Sequence, residues 1–164
     1  SRGLGDVYKR QHQTLSVAES CTSGRIASVI TAVPGSSQYF KGGVIAYANE
    51  VKINLLGVDA QIIEEKTPVC EEVAVQMAQG ARKTFGTDYS VSVTGFAGPG
   101  GHDSGKNSVL VGTIWIAVAS STNVKTVMLE EDNGRDKNLA SATSTAIHLL
   151  LELLKEELGA GEEA

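Results

Sequence analysis

Apolar residues return along this chain in two rhythms, every second position and every third or fourth, and the switches between them mark its elements. Leu15-Ser16-Val17-Ala18 reads as a short apolar strand that runs through Glu19 into a Ser20-Cys21-Thr22-Ser23-Gly24 elbow. Ile26, Val29, Ile30 and Val33 then share one helix face until Pro34-Gly35 stops it. Gly43 to Tyr47 reads as a second strand. Asn49 is then placed to cap a short helix, with Glu50 in its first turn and Ile53, Leu55 and Leu56 before a stop at Gly57. A longer helix follows Pro68, with Glu71 and Glu72 at its positive start, a buried stripe of Val73, Met77, Ala81 and Phe85, and Arg82 and Lys83 ahead of Gly86.

Tyr89, Val91 and Val93 alternate with Ser90, Ser92 and Thr94, the pattern of a strand with one less apolar face. Val109 to Ala119 is almost uniformly apolar and β-branched, as expected of a central strand covered on both faces. Val124 to Leu129 gives one more strand. The last helix runs from about Asp136 to Leu158, burying Ala142, Ala146, Leu149, Leu150, Leu153 and Leu154. Strands interleaved with helices predict a three-layer α/β/α sandwich with a mixed, mostly parallel central sheet. The strands after residue 89 follow one another with only a loop between them, which favours a mixed sheet over a purely parallel one. Residues 12–158 are expected to form a single domain. Residues 1–11 have no clear apolar period and read as a non-native or disordered leader, and residues 159–164 as an acidic tail.

A net charge of −5 argues against non-specific nucleic-acid binding, which needs a basic face. No apolar run approaches the roughly 20 residues of a membrane span, and no signal-peptide pattern is present. Cys21 and Cys70 are too few for a disulfide framework and are expected to be reduced thiols in a cytoplasmic protein. His12, His102 and His148 are scattered, and no cluster has metal-ligand spacing, so no metal is expected.

Chemistry concentrates at the strand ends. A serine on the Ser20–Gly24 elbow would sit at the positive end of a helix, among N–H groups that lack intrahelical partners. Those groups suit a phosphate, or an oxyanion formed when the serine attacks a carbonyl. Equally, Ser20, Thr22 and Ser23 suit plain helix caps. Gly42-Gly43 and the loop Thr94 to Gly101 also fall at strand ends, where ligands of open α/β sheets bind, although a tight turn explains such glycines too. Neither glycine-bearing loop has the spacing of a dinucleotide fingerprint or a Walker loop.

Several segments in order, Ala18-Glu19-Ser20-Cys21-Thr22-Ser23-Gly24, Pro34 to Phe40, Gly42 to Tyr47 with Asn49 and Lys52, Leu56-Gly57-Val58, Thr94 to Gly101 and Val111-Gly112-Thr113, resemble the C-terminal domain of the CinA (competence/damage-inducible protein) family. That domain also exists as a stand-alone nicotinamide-nucleotide amidohydrolase, and the likeness runs from about Leu15 to Leu154. The resemblance implies deamidation of nicotinamide mononucleotide to nicotinate mononucleotide and ammonia, without metal or organic cofactor. It implies a nucleophile at Ser20 working with Lys52 and Tyr47, and substrate contacts from Thr22, Ser23, Gly24, Gly43, Thr94, Gly95, Gly98 and Arg135. No nucleic-acid or membrane partner is implied, and a homodimer is compatible with so small a domain.

A serine hydroxyl needs an adjacent base, and no histidine is placed for a Ser-His-Asp triad. Lys52 serves only when neutral, so burial and a first-turn helix position must pull its pKa down from about 10.4. The chain departs from the family pattern at Ser23, where a Cβ intrudes on the elbow, and at Thr67-Pro68-Val69-Cys70, where a hydroxyl cap is lost. A longer 101–110 loop and apolar Leu139 or Ala140 at a usual arginine position are further departures. The alternatives are a Ser-Lys hydrolase of another small amide and a nucleotide- or partner-binding domain without turnover.

Overall fold

The computed structural model describes Gly5 and residues 12–100 and 109–159. Apart from Gly5 and Gly159, the proposed leader and tail lie outside the described residues, as do His102 and most of the long 101–110 loop. In chain order the elements are β1 (Leu15–Glu19), α1 (Arg25–Thr31), a 3-10 turn (Ser36–Gln38), β2 (Phe40–Ile45), α2 (Asn49–Leu56), α3 (Ala60–Lys66), α4 (Glu71–Phe85), β3 (Tyr89–Gly95), β4 (Ile114–Ala119), β5 (Val124–Leu129) and α5 (Arg135–Leu158).

The strands form one sheet in the order β2-β1-β3-β4-β5. β1 pairs parallel with both β2 and β3, while the β3–β4 and β4–β5 pairings are antiparallel. Four of the five strands therefore point one way and β4 alone is reversed, which is the mixed sheet that the short late connections require. On one face Ile26 and Ile30 of α1 and Leu139, Leu150 and Leu153 of α5 bury Leu15, Val17, Val91, Val93 and Ile116. On the other, Val73, Met77 and Ala81 of α4 pack with Ala18, Ala46 and Leu56, and Ala74 and Ala78 meet Ala117 and Ala119. The less apolar face of β3 is fully buried here. Ser90 donates to the Ala78 carbonyl and Ser92 to that of Ala74, each at 2.6 Å, so small residues bring α4 close while every hydroxyl is satisfied.

Several boundaries differ from the hydropathy reading. The apolar run from Val109 enters the sheet only at Ile114, because Gly112 turns at φ +97° and Leu110 points into solvent, 80% exposed. β2 starts three residues earlier than expected and ends at Ile45. Asn49 is the first residue of α2 and Ala48 holds the cap position, with no side-chain cap. α1 ends at Thr31, short of Val33. α3 has no helical period to announce it and starts where the Asp59 carboxylate accepts from Gln61 N.

Candidate functional site

Because β1 lies between two parallel neighbours, the carboxyl ends of β2, β1 and β3 open onto one crevice. Ser20 is the first residue past β1, pinned where its N–H donates to Val93 O at 3.0 Å. The chain then reverses through Ser23 at φ +51° and Gly24 at φ +98°. Left-handed backbone is free for glycine, whereas Ser23 carries a local cost of roughly 1–2 kcal/mol.

What holds this elbow is Glu19, which is fully buried. One carboxylate oxygen accepts from Thr22 Oγ1 at 2.7 Å, Gly24 N at 3.0 Å and Ile26 N at 3.1 Å, and the other from Ala27 N at 2.9 Å. This corrects two readings. No Ser or Thr side chain caps α1, whose cap position is Gly24. Nor are the α1 amides open to a phosphate, since a carboxylate already takes those of Gly24, Ile26 and Ala27 and balances the helix dipole. Thr22, Ser23 and Gly24 shape the elbow. Hydropathy treated Glu19 as the end of a strand; an acid just ahead of an uncapped elbow was the signal for it.

Lys52, 2% exposed, reaches from the first turn of α2 to the elbow. Its Nζ lies 3.2 Å from Ser20 Oγ, 2.9 Å from Ala46 O and 3.1 Å from Tyr47 O. Burial lowers its pKa from 10.5 to about 8, against a smaller upward pull from Cys21. A protonated amine donates to all three oxygens. A neutral one gives its two hydrogens to the carbonyls and keeps its lone pair for the Ser20 hydroxyl. Tyr47 contributes its carbonyl to Lys52, while its side chain, 60% exposed, stands at the mouth of the site.

Ser20 and Cys21 line a cavity of about 180 Å³ walled by Pro68, Val69 and Phe96. The Cys21 thiol is not a second nucleophile: burial pushes its pKa up to about 11, outweighing the nearby Arg135 and Lys52 cations. Its backbone N–H, on the residue after Ser20, contacts the Cys21 sulfur itself. Two larger hollows, of about 720 Å³ between α1 and α5 and about 410 Å³ beside Gly112, are lined by neither Ser20 nor Lys52 among the described residues.

The other expected contacts divide. Thr94 and Gly95 line the cavity, although Thr94 Oγ1 donates to Pro68 O at 2.9 Å and so ties two walls together. A Cβ on Gly95 would lie 2.5 Å from Ile114 Cγ1, so strand pairing also demands glycine there. Arg135 donates to Gly98 O at 2.6 Å and joins the loop after β3 to the start of α5. Asn138, not anticipated from sequence, holds the same loop through Ala97 O at 3.0 Å. Gly43 lies outside the site. It sits within β2 opposite Val17, where a Cβ would meet Val17 Cγ2 at 2.3 Å, so its place is explained by strand packing. His12 and His148 are exposed and apart from Ser20. Among the described residues no group of three or more His, Cys, Asp or Glu could hold a metal ion, and no helix is long and apolar enough to cross a membrane.

The chain is 41% identical over 155 residues to a CinA-like protein of Rippkaea orientalis, covering 94% of this chain and 36% of that protein. It is 39% identical over 153 residues to a CinA-like protein of Cytophaga hutchinsonii, with 93% and 36% covered. It thus spans about a third of the length of these relatives. Among solved structures, a competence-damaged protein (CinA) superfamily protein from Escherichia coli superposes with a TM-score of 0.86 at 30% identity, over 92% of this chain and 86% of that one. The competence/damage inducible protein CihA from Agrobacterium tumefaciens gives 0.86 at 32%, over 93% and 92%. The family model of the CinA C-terminal domain matches residues 2–154, and the chain belongs to that family.

Proposed function

We propose that this domain is a cytoplasmic amidohydrolase that converts nicotinamide mononucleotide to nicotinate mononucleotide and ammonia. The observation that carries the reading is the buried contact between Lys52 Nζ and Ser20 Oγ, with burial biasing the lysine toward its neutral form. Neutral Lys52 takes the Ser20 proton as Oγ attacks the carboxamide carbon. The Cys21 N–H supports the oxyanion that develops on the carbonyl oxygen. Collapse breaks the C–N bond, and the Lys52 ammonium returns its proton to the departing nitrogen, which leaves as ammonia. Water, deprotonated by Lys52, then hydrolyses the Ser20 acyl ester to the carboxylate. The small cavity suits a flat ring and its carboxamide, with the ribose phosphate extending outward toward Arg135. The chemistry calls on no metal or organic cofactor.

Incubating the purified chain with nicotinamide mononucleotide is expected to release ammonia in step with nicotinate mononucleotide. Ser20→Ala should cut turnover by about a thousandfold or more, with nucleotide binding retained. Nucleotide binding without ammonia from the unmodified chain would instead favour a binding domain, and ammonia only from other amides a different amidase.

A further inference from the structure

The wall that Pro68 and Val69 give the Ser20 cavity starts from a strained residue. Thr67 follows α3 at φ +89° and ψ 160°, a region that glycine enters freely and a β-branched residue does not. Standing before Pro68 narrows its choices further. Such a conformation persists only where the surroundings over-determine it. Here they do. Thr67 is buried, and its N–H donates to Ile63 O at 2.9 Å, which ties it to the end of α3. Its Oγ1 accepts from Val69 N at 3.0 Å and donates to Val69 O at 3.3 Å. Thr94 Oγ1 takes the carbonyl between them, that of Pro68, and the proline ring fixes its own φ.

A glycine at position 67 would make the same turn without strain. What threonine adds is a hydroxyl, and that hydroxyl holds the backbone of Val69, a buried residue that lines the cavity with Ser20. With its N–H and its C=O both bonded to one oxygen, Val69 is not free to turn away from the cavity. At about 180 Å³ the cavity has room for a flat ring and little more. The strain is therefore stored where it decides how far the cavity can open. We propose that Thr67 is a positioning residue for substrate selection, whose hydroxyl holds the Pro68–Val69 wall closed on a single unsubstituted six-membered ring. The identity of that ring rests on the amidase reading; the fixed wall rests on the geometry.

Binding of nicotinamide and its ring-methylated derivatives, followed through the Val69 resonances, tests this without turnover. The parent should bind nicotinamide at least about tenfold more tightly than the weakest-bound of the 4-, 5- and 6-methyl derivatives, as one methyl group is worth in an apolar pocket. Thr67→Gly keeps the turn and loses the hydroxyl, so that ratio should fall to within about threefold, through tighter binding of the methylated ring. Thr67→Ser keeps the hydroxyl and should keep the ratio, a rescue that a merely structural role would not produce. A parent that takes all the rings alike, or a ratio that survives in Thr67→Gly, overturns the proposal. So does an equal weakening for every ring, a ratio lost as fully in Thr67→Ser, or a cavity that takes no ring in any of the three proteins. Ammonia release from nicotinamide mononucleotide is assayed alongside. A ratio that collapses in a chain releasing no ammonia leaves the wall in place and removes the amidase reading; ammonia with an unmoved ratio does the reverse.

Discussion

A lysine is an unusual base because an ordinary one is charged throughout the neutral range. Lys52 escapes this by lying among apolar residues with its amine on two backbone carbonyls and a serine, and burial leaves it with a pKa of about 8. The active form is the neutral one, so kcat/KM should climb as pH rises through about 8 and level off above it. A profile flat from about pH 6 to 9 would exclude Lys52 as the base. Lys52→Arg should be as damaging as Lys52→Ala, since a guanidinium keeps its proton at any working pH. The pairing of Ser20 with Lys52 was legible in the sequence only through the family pattern of motifs, and the contact of Tyr47 through its carbonyl was not legible at all. Hydropathy alone assigns Lys52 to solvent, because a buried lysine is signalled by its three-dimensional surroundings and not by its neighbours in sequence.

At the scale of elements, the long amphipathic helices α4 and α5 were plain, since their apolar residues recur over many turns. The seven-residue α3 was not, because Ile62 and Ile63 are adjacent and set up no period. Close approaches are equally silent in sequence. Gly80 in α4 reads as a weak point of a helix, yet its position is where α2 crosses. A Cβ there would stand 2.0 Å from Leu56 O at the end of α2. On propensity alone Gly80→Ala should stabilise a helix by about 1 kcal/mol. The backbone contact reverses that sign, and we expect a loss of about 1–3 kcal/mol in urea unfolding, as for an overpacked core. Because α2 carries Lys52, turnover should fall as well. An alanine variant as stable and active as the parent would show that the two helices separate without cost.

For the whole molecule, sheet order does the assembling. Placing β1 between β2 and β3 brings a serine from the loop after β1, a lysine from α2 and the β3 loop to a single end of the sheet, although they span residues 20 to 98 of the chain. The same assembly lowers global stability at neutral pH. Lys52 has a folded pKa of about 8 against 10.5 for an ordinary lysine, so between these values the unfolded chain holds a proton that the folded one has released. Stability must then rise with pH across that window, and below it the full penalty for burying the charge applies, about 3 kcal/mol. Lys52→Met removes this titration while retaining a long, apolar stem. The free-energy gap between parent and variant should therefore move by about 3 kcal/mol in the parent's favour from about pH 7.5 to 10.5, with equal m values at each pH. Comparing the two proteins cancels the other titrating groups, which both share. A gap that stays constant would mean that Lys52 is as charged in the folded protein as in the unfolded one, and Ser20 would be left without its base.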